Sequence, residues 1–288
     1  TQIINDIITL FPKEMNNYHE VFLGGGSVLF ALLSNQRKNK IVINEGIYAY
    51  DLNEDLINVY KNIQDNVEVL HEKLTYVFEQ YDSISVFKGD RNPTIIDEAL
   101  KSKESFYYWI REKYNNMDKN LIEHSALFIF LNKTCFRGMH RVGPNGFNVP
   151  FGHYKKTPKI ISLDELVEIQ NLIKKVEFKC LDFSESIKNI KKDDFAYFDP
   201  PYAQENAKSF VKYNKNGFPP EKHQELFNLI LAKDQENVKM VISNSKTELV
   251  EKNFVDFRIN EIKARRAINS KNPGSVVKEL IIYNFENS

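Results

Sequence analysis

The sequence predicts an α/β fold, in which a mostly parallel sheet is wrapped by helices and interrupted by a mainly helical insertion that carries a hairpin. Short apolar runs alternate with helical patterns in residues 18–60 and again in residues 163–245. Several of these runs stop at an acidic or amide side chain, and open α/β sheets bind ligands at the carboxyl ends of their strands. Residues 67–125 lack this alternation and have a charged, helical pattern, which indicates the insertion.

Composition limits the class of protein. The chain has 288 residues, 42% of them hydrophobic, enough for one domain with a sizeable insertion. Its two cysteines, Cys135 and Cys180, argue against a disulfide framework and fit a reducing compartment. Because it shows neither a membrane-spanning apolar run nor a signal peptide, we expect a soluble intracellular protein that is not secreted. With 39 basic and 39 acidic residues, binding to nucleic acid would need a local basic patch.

The amino-terminal part predicts the opening of a Rossmann-like unit. A helix over residues 2–11 ends at Pro12, and residues 18–22 form a short strand. Glycines at positions 24–26 and a helix after Ser27 follow. Such glycines let the backbone approach a ligand, and the amino end of the helix offers N–H groups to a carboxylate or phosphate. The spacing is not Gly-x-Gly-x-x-Gly, which disfavours a dinucleotide, whereas S-adenosylmethionine would suit. An ordinary glycine loop is the alternative.

A second strand, residues 47–51, ends at Asp51, about 25 residues after the glycines. An acid at about this distance binds ribose hydroxyls in nucleotide-binding sheets. Asp51 is therefore our candidate ribose ligand. The alternative is that Asp51 caps the helix predicted over residues 52–60, and both roles are compatible.

The insertion ends in a basic segment. Helices are predicted over residues 67–80 and 94–114, and the aromatic cluster of residues 106–109 is expected in the core. An apolar helix over residues 121–131 leads into basic and amide side chains and a hairpin at residues 142–147. Such a hairpin could read a DNA groove, with arginine on guanine, asparagine on adenine and the other side chains on phosphates. Solvated lysines are the alternative reading of this patch. Its basic members are Lys133, Arg137, His140, Arg141, Lys155, Lys156 and Lys159.

Strand and helix alternation then resumes. Helices are predicted over residues 163–174, 184–190 and 220–232, and strands over residues 176–181, 195–198 and 238–243. Terminal strands over residues 254–262 and 279–285 can form a hairpin.

The strand at residues 195–198 runs into Asp199-Pro200-Pro201-Tyr202, where two prolines forbid its continuation. This motif suits methyl transfer to an amino group conjugated with an aromatic ring, such as the exocyclic amine of adenine. That nitrogen is a poor nucleophile until hydrogen-bond acceptors draw electron density back to it. Asp199 and the backbone carbonyl of Pro200 could accept from its two N–H groups, and Tyr202 could stack on a base that has left the duplex. The alternative is a proline loop without chemistry.

These stretches together resemble the DNA adenine N6-methyltransferases of the Dam type (class α), which occur in restriction–modification systems and viruses. Six landmarks occur in the family's order along most of the chain, and joint occurrence is more specific than any one. They are residues 22–28, residues 51–57, residues 131–152, Asp182-Phe183, Asp199-Pro200-Pro201-Tyr202 and Ser243-Asn244-Ser245.

The resemblance implies a discontinuous S-adenosylmethionine-dependent catalytic domain, residues 1–60 and 161–288, and a DNA target-recognition domain, residues 61–160. It implies S-adenosylmethionine as cofactor, S-adenosylhomocysteine as product, no metal, and double-stranded DNA as partner. A cognate restriction endonuclease is a possible further partner, and the expected location is the cytoplasm or intracellular DNA. The implied cofactor residues are Phe22, Gly24, Gly25, Gly26, Ser27, Asp51, Leu52, Asp182, Phe183 and Asp199. The implied catalytic residues are Asp199, Pro200, Pro201 and Tyr202, and the DNA-binding candidates are Lys133, Arg137, His140, Arg141, Asn145, Asn148 and Tyr213.

Arg141 matches an arginine that reads guanine in related enzymes, which points to a GATC-like target; Phe210 matches a further position near the target base. Two features depart from the family. Its members usually begin with a Lys-Trp-x-Gly-x-Lys element, which we expect to precede Thr1, and Arg137 stands where relatives often have asparagine. Cytosine ring methylation is disfavoured because neither cysteine follows a proline, and protein glutamine methylation because Asp199 leads the motif. Cytosine amino methylation and a catalytically silent DNA-binding homologue remain alternatives.

Overall fold

The structure, a computed structural model, describes residues 3–154, 156–203, 218–265 and 276–286. The chain forms two compact units. Unit 1 comprises Thr1–Leu52 and Lys175–Ser288, and unit 2 comprises Asn53–Lys174. The sequence interpretation placed these boundaries near residues 60 and 160. They differ because the first and last helices of the insertion pack on its other helices and so belong to unit 2.

The helices of the described residues, labelled in chain order, are α1 (Ile4–Thr9), α2 (Ser27–Arg37), α3 (Glu54–Asp65), α4 (Val67–Ser83), α5 (Ile96–Ala99), α6 (Lys103–Asn116), α7 (Ile122–Thr134), α8 (Leu163–Ile173), α9 (Phe183–Lys188), α10 (Pro220–Gln235) and α11 (Glu248–Asn253). The strands are β1 (Glu14–Met15), β2 (Tyr18–Glu20), β3 (Val42–Ile43), β4 (Ile47–Asp51), β5 (Val142–Gly143), β6 (Gly146–Phe147), β7 (Val176–Cys180), β8 (Phe195–Phe198), β9 (Lys239–Ser245), β10 (Arg258–Arg265) and β11 (Val276–Tyr283). None of the helices in the described ranges has the length and apolarity needed to cross a membrane.

Unit 1 is built on a seven-stranded sheet with the order β10-β11-β9-β8-β2-β4-β7. Strands β9, β8, β2, β4 and β7 are parallel to one another, whereas β11 is antiparallel to both β9 and β10. The predicted mixed, mostly parallel sheet and the terminal hairpin are therefore confirmed. Apolar residues of the sheet and of α9, α10 and α11 form a shared core.

The strand order switches between β2 and β8, because successive strands are added first on one side of β2 and then on the other. From β2 the strands continue through β4 to β7, and β8 then returns to the other side of β2. Ligands of open α/β sheets bind at such a switch point, outside the carboxyl ends of the strands. Since β2 and β8 are parallel, with Glu20 opposite Tyr197, the glycine loop and the Asp-Pro-Pro-Tyr motif emerge at this same edge.

Unit 2 is mainly helical and has its own core. Helix α7 packs on α3, α4 and α6, and α8 packs on α3 and α4. Phe106, Tyr107 and Tyr108 are buried in this core, as predicted for the aromatic cluster, whereas Trp109 is half-buried. The predicted hairpin is also confirmed, because β5 and β6 pair antiparallel, with Val142 opposite Phe147.

Candidate active site

A cavity of about 1050 Å³ opens in unit 1 at the carboxyl ends of β2, β4, β7 and β8. The structure brings all the predicted catalytic and cofactor-binding residues to its wall. They are Phe22, Gly24, Gly25, Gly26, Ser27, Asp51, Leu52, Asp182, Phe183, Asp199, Pro200, Pro201 and Tyr202. Since these positions come from four separate stretches of sequence, the sheet topology accounts for their convergence.

The glycine loop forms one wall of this cavity. Gly24 and Gly26 have φ angles of +50° and +66°, in the left-handed region that favours glycine. A Cβ atom added at Gly24 or Gly25 would meet no protein atom within 4 Å, so both residues face open space. The first turn of α2 begins at Ser27, and its N-cap is Gly26, which has no side chain that could accept from the turn. Its N–H groups therefore suit an anionic ligand group.

Asp51 ends β4 beside the glycine loop, and its Oδ2 accepts a hydrogen bond of 2.9 Å from the Gly24 N–H. The helix-capping alternative for Asp51 is wrong, because Asn53 is the N-cap of α3 and accepts from the Leu56 N–H at 3.3 Å. A carboxylate has several acceptor positions, so the bond from Gly24 fixes Asp51 while leaving it able to accept from a ligand. Leu52, which follows it, is 71% exposed.

Aromatic rings form the next wall. Phe183 stacks on Phe22 at a centroid distance of 5.9 Å, and Phe218 lies within 6.1 Å of both rings. Asp182 is the N-cap of α9 and accepts from the Ser184 N–H at 2.9 Å. Phe218 was not predicted as a site residue, because it follows a segment without a clear strand or helix pattern. An apolar wall with an acid at its edge suits a purine ring and its polar edge.

The Asp-Pro-Pro-Tyr motif closes the cavity from β8. Asp199 opens onto the cavity and water reaches its side chain, although protein surrounds the carboxyl on most sides. This burial, together with the nearby charge of Glu279, raises the pKa of Asp199 to about 6, against a smaller decrease from the Tyr202 hydroxyl. The Asp199 carboxylate is therefore a stronger base than an ordinary aspartate while still being largely ionised at neutral pH.

Two acids of the cavity, Glu20 and Glu279, were missed in the sequence. Glu20 is 2% exposed at the end of β2 and accepts a 2.7 Å hydrogen bond from the Tyr18 hydroxyl. Burial chiefly raises the pKa of Glu20 to about 8, and the charge of Asp199 adds to the increase. An acid inside an apolar strand was the available signal for both residues.

The Ser243-Asn244-Ser245 stretch at the end of β9 holds the backbone that follows the Asp-Pro-Pro-Tyr motif. Asn244 Oδ1 accepts from the N–H of Ala203 at 3.1 Å, and the Ser245 hydroxyl donates to the Ala203 carbonyl. Ser243 and Tyr197 share a hydrogen bond of 2.8 Å between their hydroxyls. The residue after Tyr202 is thus fixed on both its backbone polar groups.

The DNA-binding candidates that the structure describes lie in unit 2, around the β5–β6 hairpin. Arg141 donates from Nε to Asn148 Oδ1 at 2.6 Å and from a terminal nitrogen to the Asn148 carbonyl at 3.0 Å. Asn148 therefore holds the Arg141 guanidinium, and we expect the two to act together. Arg137 has a φ of +57° and lies over the Phe136 ring, 5.1 Å from its centroid.

The other described candidates are arranged around the same segment. Asn145 is exposed in the hairpin turn, Lys133 is half-buried in the last turn of α7, and the His140 ring lies between those of Phe128 and Phe147. Tyr213, Phe210 and Lys155 fall outside the described residues.

The described residues were also compared with the needs of a cysteine nucleophile and of a metal site. Burial raises the pKa of the Cys135 thiol to about 11, which does not favour a thiolate nucleophile. Over the ranges that the structure describes, no group of three or more histidine, cysteine, aspartate or glutamate side chains could hold a metal ion.

Comparison with known proteins gives consistent matches. The family model described as D12 class N6 adenine-specific DNA methyltransferase matches residues 1–268. A type II methyltransferase, M.MjaIII of Methanocaldococcus jannaschii, is 34% identical over 297 residues, which covers 99% of this chain and 96% of that protein. The type II methyltransferase M1.LlaDCHI of Lactococcus lactis subsp. cremoris is 30% identical, covering 99% and 92%. A DNA adenine methylase of Haemophilus influenzae is 28% identical, covering 97% and 88%.

Proposed function

Because the chain belongs to the D12 class N6 adenine-specific DNA methyltransferases, we propose that its cavity binds S-adenosylmethionine beside an adenine flipped out of duplex DNA. The observation that carries this proposal is the convergence of two residue sets in one cavity of unit 1. The glycine loop, Asp51 and the Asp182-Phe183 pair form one set, and the Asp-Pro-Pro-Tyr motif forms the other. The cavity volume of about 1050 Å³ is large for a ligand pocket, most of which measure about 300–1,000 Å³.

The residues of the first set fit this cofactor chemically. Open space over Gly24 and Gly25 lets a ligand approach the backbone, and the first turn of α2 favours its carboxylate. Asp51 would accept hydrogen bonds from the ribose hydroxyls. Phe22, Phe183 and Phe218 would enclose the adenine ring of the cofactor, with Asp182 at its amino edge.

The second set acts on the target amine. S-adenosylmethionine supplies a methyl group on a cationic sulfur: the amine lone pair forms the new N–C bond, the C–S bond breaks with its electrons kept by sulfur, and the nitrogen then loses a proton. Asp199 and the Pro200 carbonyl would accept hydrogen bonds from the two N–H groups, which localises the lone pair on nitrogen. With a pKa of about 6, Asp199 is also a competent acceptor for the proton released afterwards.

The position of the motif supports base flipping. An adenine amine inside a duplex cannot reach the wall of a concave cavity, so the base has to leave the stack. Tyr202, which lines the cavity, would stack on it. We expect 2-aminopurine placed at the target position to become more fluorescent when the protein binds, and an unchanged fluorescence would contradict flipping.

Unit 2 would recognise the target sequence. Arg141, held by Asn148, would read a guanine, which supports a GATC-like target, while Arg137 is the residue most able to alter it. Tyr213 would lie near the target base, and the remaining basic residues would contact phosphates. Methylation of duplexes that differ only at the four positions of GATC measures this preference, and equal rates on all of them would contradict it.

The names of two relatives as type II methyltransferases support a further proposal. A cognate restriction endonuclease would recognise the same sequence, and the methyltransferase would act at the cell's own DNA. DNA from cells producing the protein should then resist that endonuclease.

Binding and transfer can be tested separately with the same preparation. Calorimetry with S-adenosylmethionine measures binding, and transfer of a tritiated methyl group to duplex DNA measures the reaction. We expect Asp199→Ala to bind the cofactor but to transfer no methyl group. Full transfer by this variant would refute the proposed role of Asp199, and cofactor binding unaffected by Asp51→Ala would refute the proposed cofactor position.

A further inference from the structure

Glu279 occupies an unusual position for an acid. It lies within strand β11, opposite Ser245 of β9 and Ile262 of β10, and only 9% of its surface is exposed. Its neighbour Lys278 is exposed and pairs with Glu261 at 2.7 Å. Glu279 instead lines the cavity that contains the Asp-Pro-Pro-Tyr motif. Burying a carboxylate in a sheet costs free energy unless polar groups compensate for it, and the motif provides one such group.

Glu279 contacts the motif itself. Its Oε2 accepts a hydrogen bond of 3.3 Å from the Tyr202 hydroxyl. The same hydroxyl interacts with the Asp199 carboxylate, and the charge of Glu279 acts directly on Asp199. Glu279 therefore contacts the tyrosine end of the motif, and its charge acts on the aspartate end from a strand distant in sequence.

We propose that Glu279 is a positioning residue for the motif, whose carboxylate orients Tyr202 and whose charge makes Asp199 a stronger hydrogen-bond acceptor for the target amine. This inference rests on the proposed function, since it assigns to Glu279 a task in that reaction. Tyr202 is fixed at its hydroxyl by Glu279 and just beyond its backbone by Asn244 and Ser245, which leaves the ring face for the base.

The groups around Asp199 determine the direction in which a substitution shifts its titration. Glu20 faces it from β2, Tyr197 from β8, Tyr202 from its own loop and Glu279 from β11. Glu279 opposes ionisation of Asp199, whereas the nearby Tyr202 hydroxyl, whose proton points to Glu279, favours ionisation of Asp199. Removing one or the other should therefore shift the titration of Asp199 in opposite directions.

Two variants use this opposition. Glu279→Gln keeps the shape and an acceptor oxygen but removes the charge, so the titration of Asp199 should move to lower pH. Tyr202→Phe removes only the hydroxyl, so the titration should move to higher pH. Glu261→Gln is the matched control: it removes a glutamate charge from the neighbouring strand β10, at a residue that pairs with Lys246 and Lys278. It should leave the titration unchanged.

The titration is read in two ways. Carboxyl ¹³C chemical shifts of the ligand-free protein, assigned with Asp199→Asn, follow Asp199 without any reaction. The pH profile of kcat/KM follows it through catalysis, and at about pH 8 we expect Glu279→Gln to lower kcat on the order of tenfold with cofactor affinity little changed. A merely structural role would lower activity without moving either midpoint.

The outcomes separate this inference from the proposed function. Opposite shifts in Glu279→Gln and Tyr202→Phe, with none in Glu261→Gln, would support it. An unmoved Asp199 titration in Glu279→Gln would overturn it even if the wild-type protein methylates adenine. If Glu279→Gln does not fold, absence of an upward shift in Tyr202→Phe overturns it. Failure of the wild-type protein to methylate DNA would refute the proposed function, while the ¹³C titration would still decide whether Glu279 acts on Asp199.

Discussion

Acidification across the titration of Asp199 should switch the reaction off in a defined way. The pKa of about 6 means that the carboxyl of the free protein is half ionised at that pH. One pH unit lower it is ionised in roughly a tenth of the molecules, and one unit higher in roughly nine-tenths. Because only the carboxylate accepts a hydrogen bond from the amine without competing as a donor, kcat/KM should rise about tenfold across those two units.

The profile of kcat should differ from that of kcat/KM. The first reports groups of the enzyme–substrate complex and the second those of the free enzyme. A cationic sulfonium beside Asp199 favours its ionised form, so the acidic limb of kcat should lie at lower pH than that of kcat/KM. This order of the two limbs follows from the charge of the proposed cofactor and not from general acid denaturation.

Steady-state transfer of a tritiated methyl group to duplex DNA, measured from about pH 5 to pH 9 at fixed ionic strength, gives both profiles. Circular dichroism over the same range is the control for folding. Asp199→Asn should lose activity on the order of a hundredfold or more, comparable to the loss of one preorganised hydrogen bond at a reacting centre, and its residual rate should lack the limb. A limb that persists in Asp199→Asn would refute the assignment to Asp199.

Three further predictions concern the cofactor, the target and a buried proton. Gly25→Ala should leave the melting temperature nearly unchanged, because a Cβ there meets no protein atom within 4 Å. It should weaken S-adenosylmethionine binding about tenfold in calorimetry, and an unchanged affinity would contradict a close approach of the cofactor to the Gly25 backbone. Arg141→Ala should lose about 1–3 kcal/mol of discrimination at one base pair. The measurement is the ratio of kcat/KM between the preferred duplex and a duplex with one base pair changed, and an unchanged ratio would mean that another residue recognises that base pair. Since the pKa of Glu20 is about 8, Glu20 carries a proton in the free protein at neutral pH. Binding of a cationic cofactor should release that proton. Binding enthalpies that do not depend on the ionisation enthalpy of the buffer would contradict the release.

Much of unit 1 could be predicted because its strands end where the sequence forces them to end. The two prolines after Asp199 stop β8, and Asp51 is the last residue of β4, as predicted from its apolar run. The Dam-type resemblance, confirmed at the level of the family, rested on these same landmarks. Local patterns of this kind depend on neighbouring residues and are therefore visible in a single sequence.

The remaining features depend on how distant strands align. Glu20 and Glu279 are single acids in apolar strands, and their importance follows from the pairing of β2 with β8 and of β11 with β9. Asn53 rather than Asp51 caps α3, and Asp51 accepts from the Gly24 N–H, which belongs to another stretch of the chain. The pairing of Arg141 with Asn148 likewise depends on the geometry of the hairpin. The two acids are visible in the sequence as charges within apolar strands, but the contacts that these residues make are not.

The central claim is that this protein methylates the exocyclic amine of adenine in DNA from S-adenosylmethionine. The most direct test incubates the purified protein with mixed-sequence duplex DNA and S-adenosylmethionine, digests the DNA to nucleosides and identifies the methylated product by mass spectrometry. We expect N6-methyl-2′-deoxyadenosine from the wild-type protein and none from Asp199→Ala. Methylcytosine as the product, or no methylated nucleoside from a preparation that binds S-adenosylmethionine and duplex DNA, would contradict it.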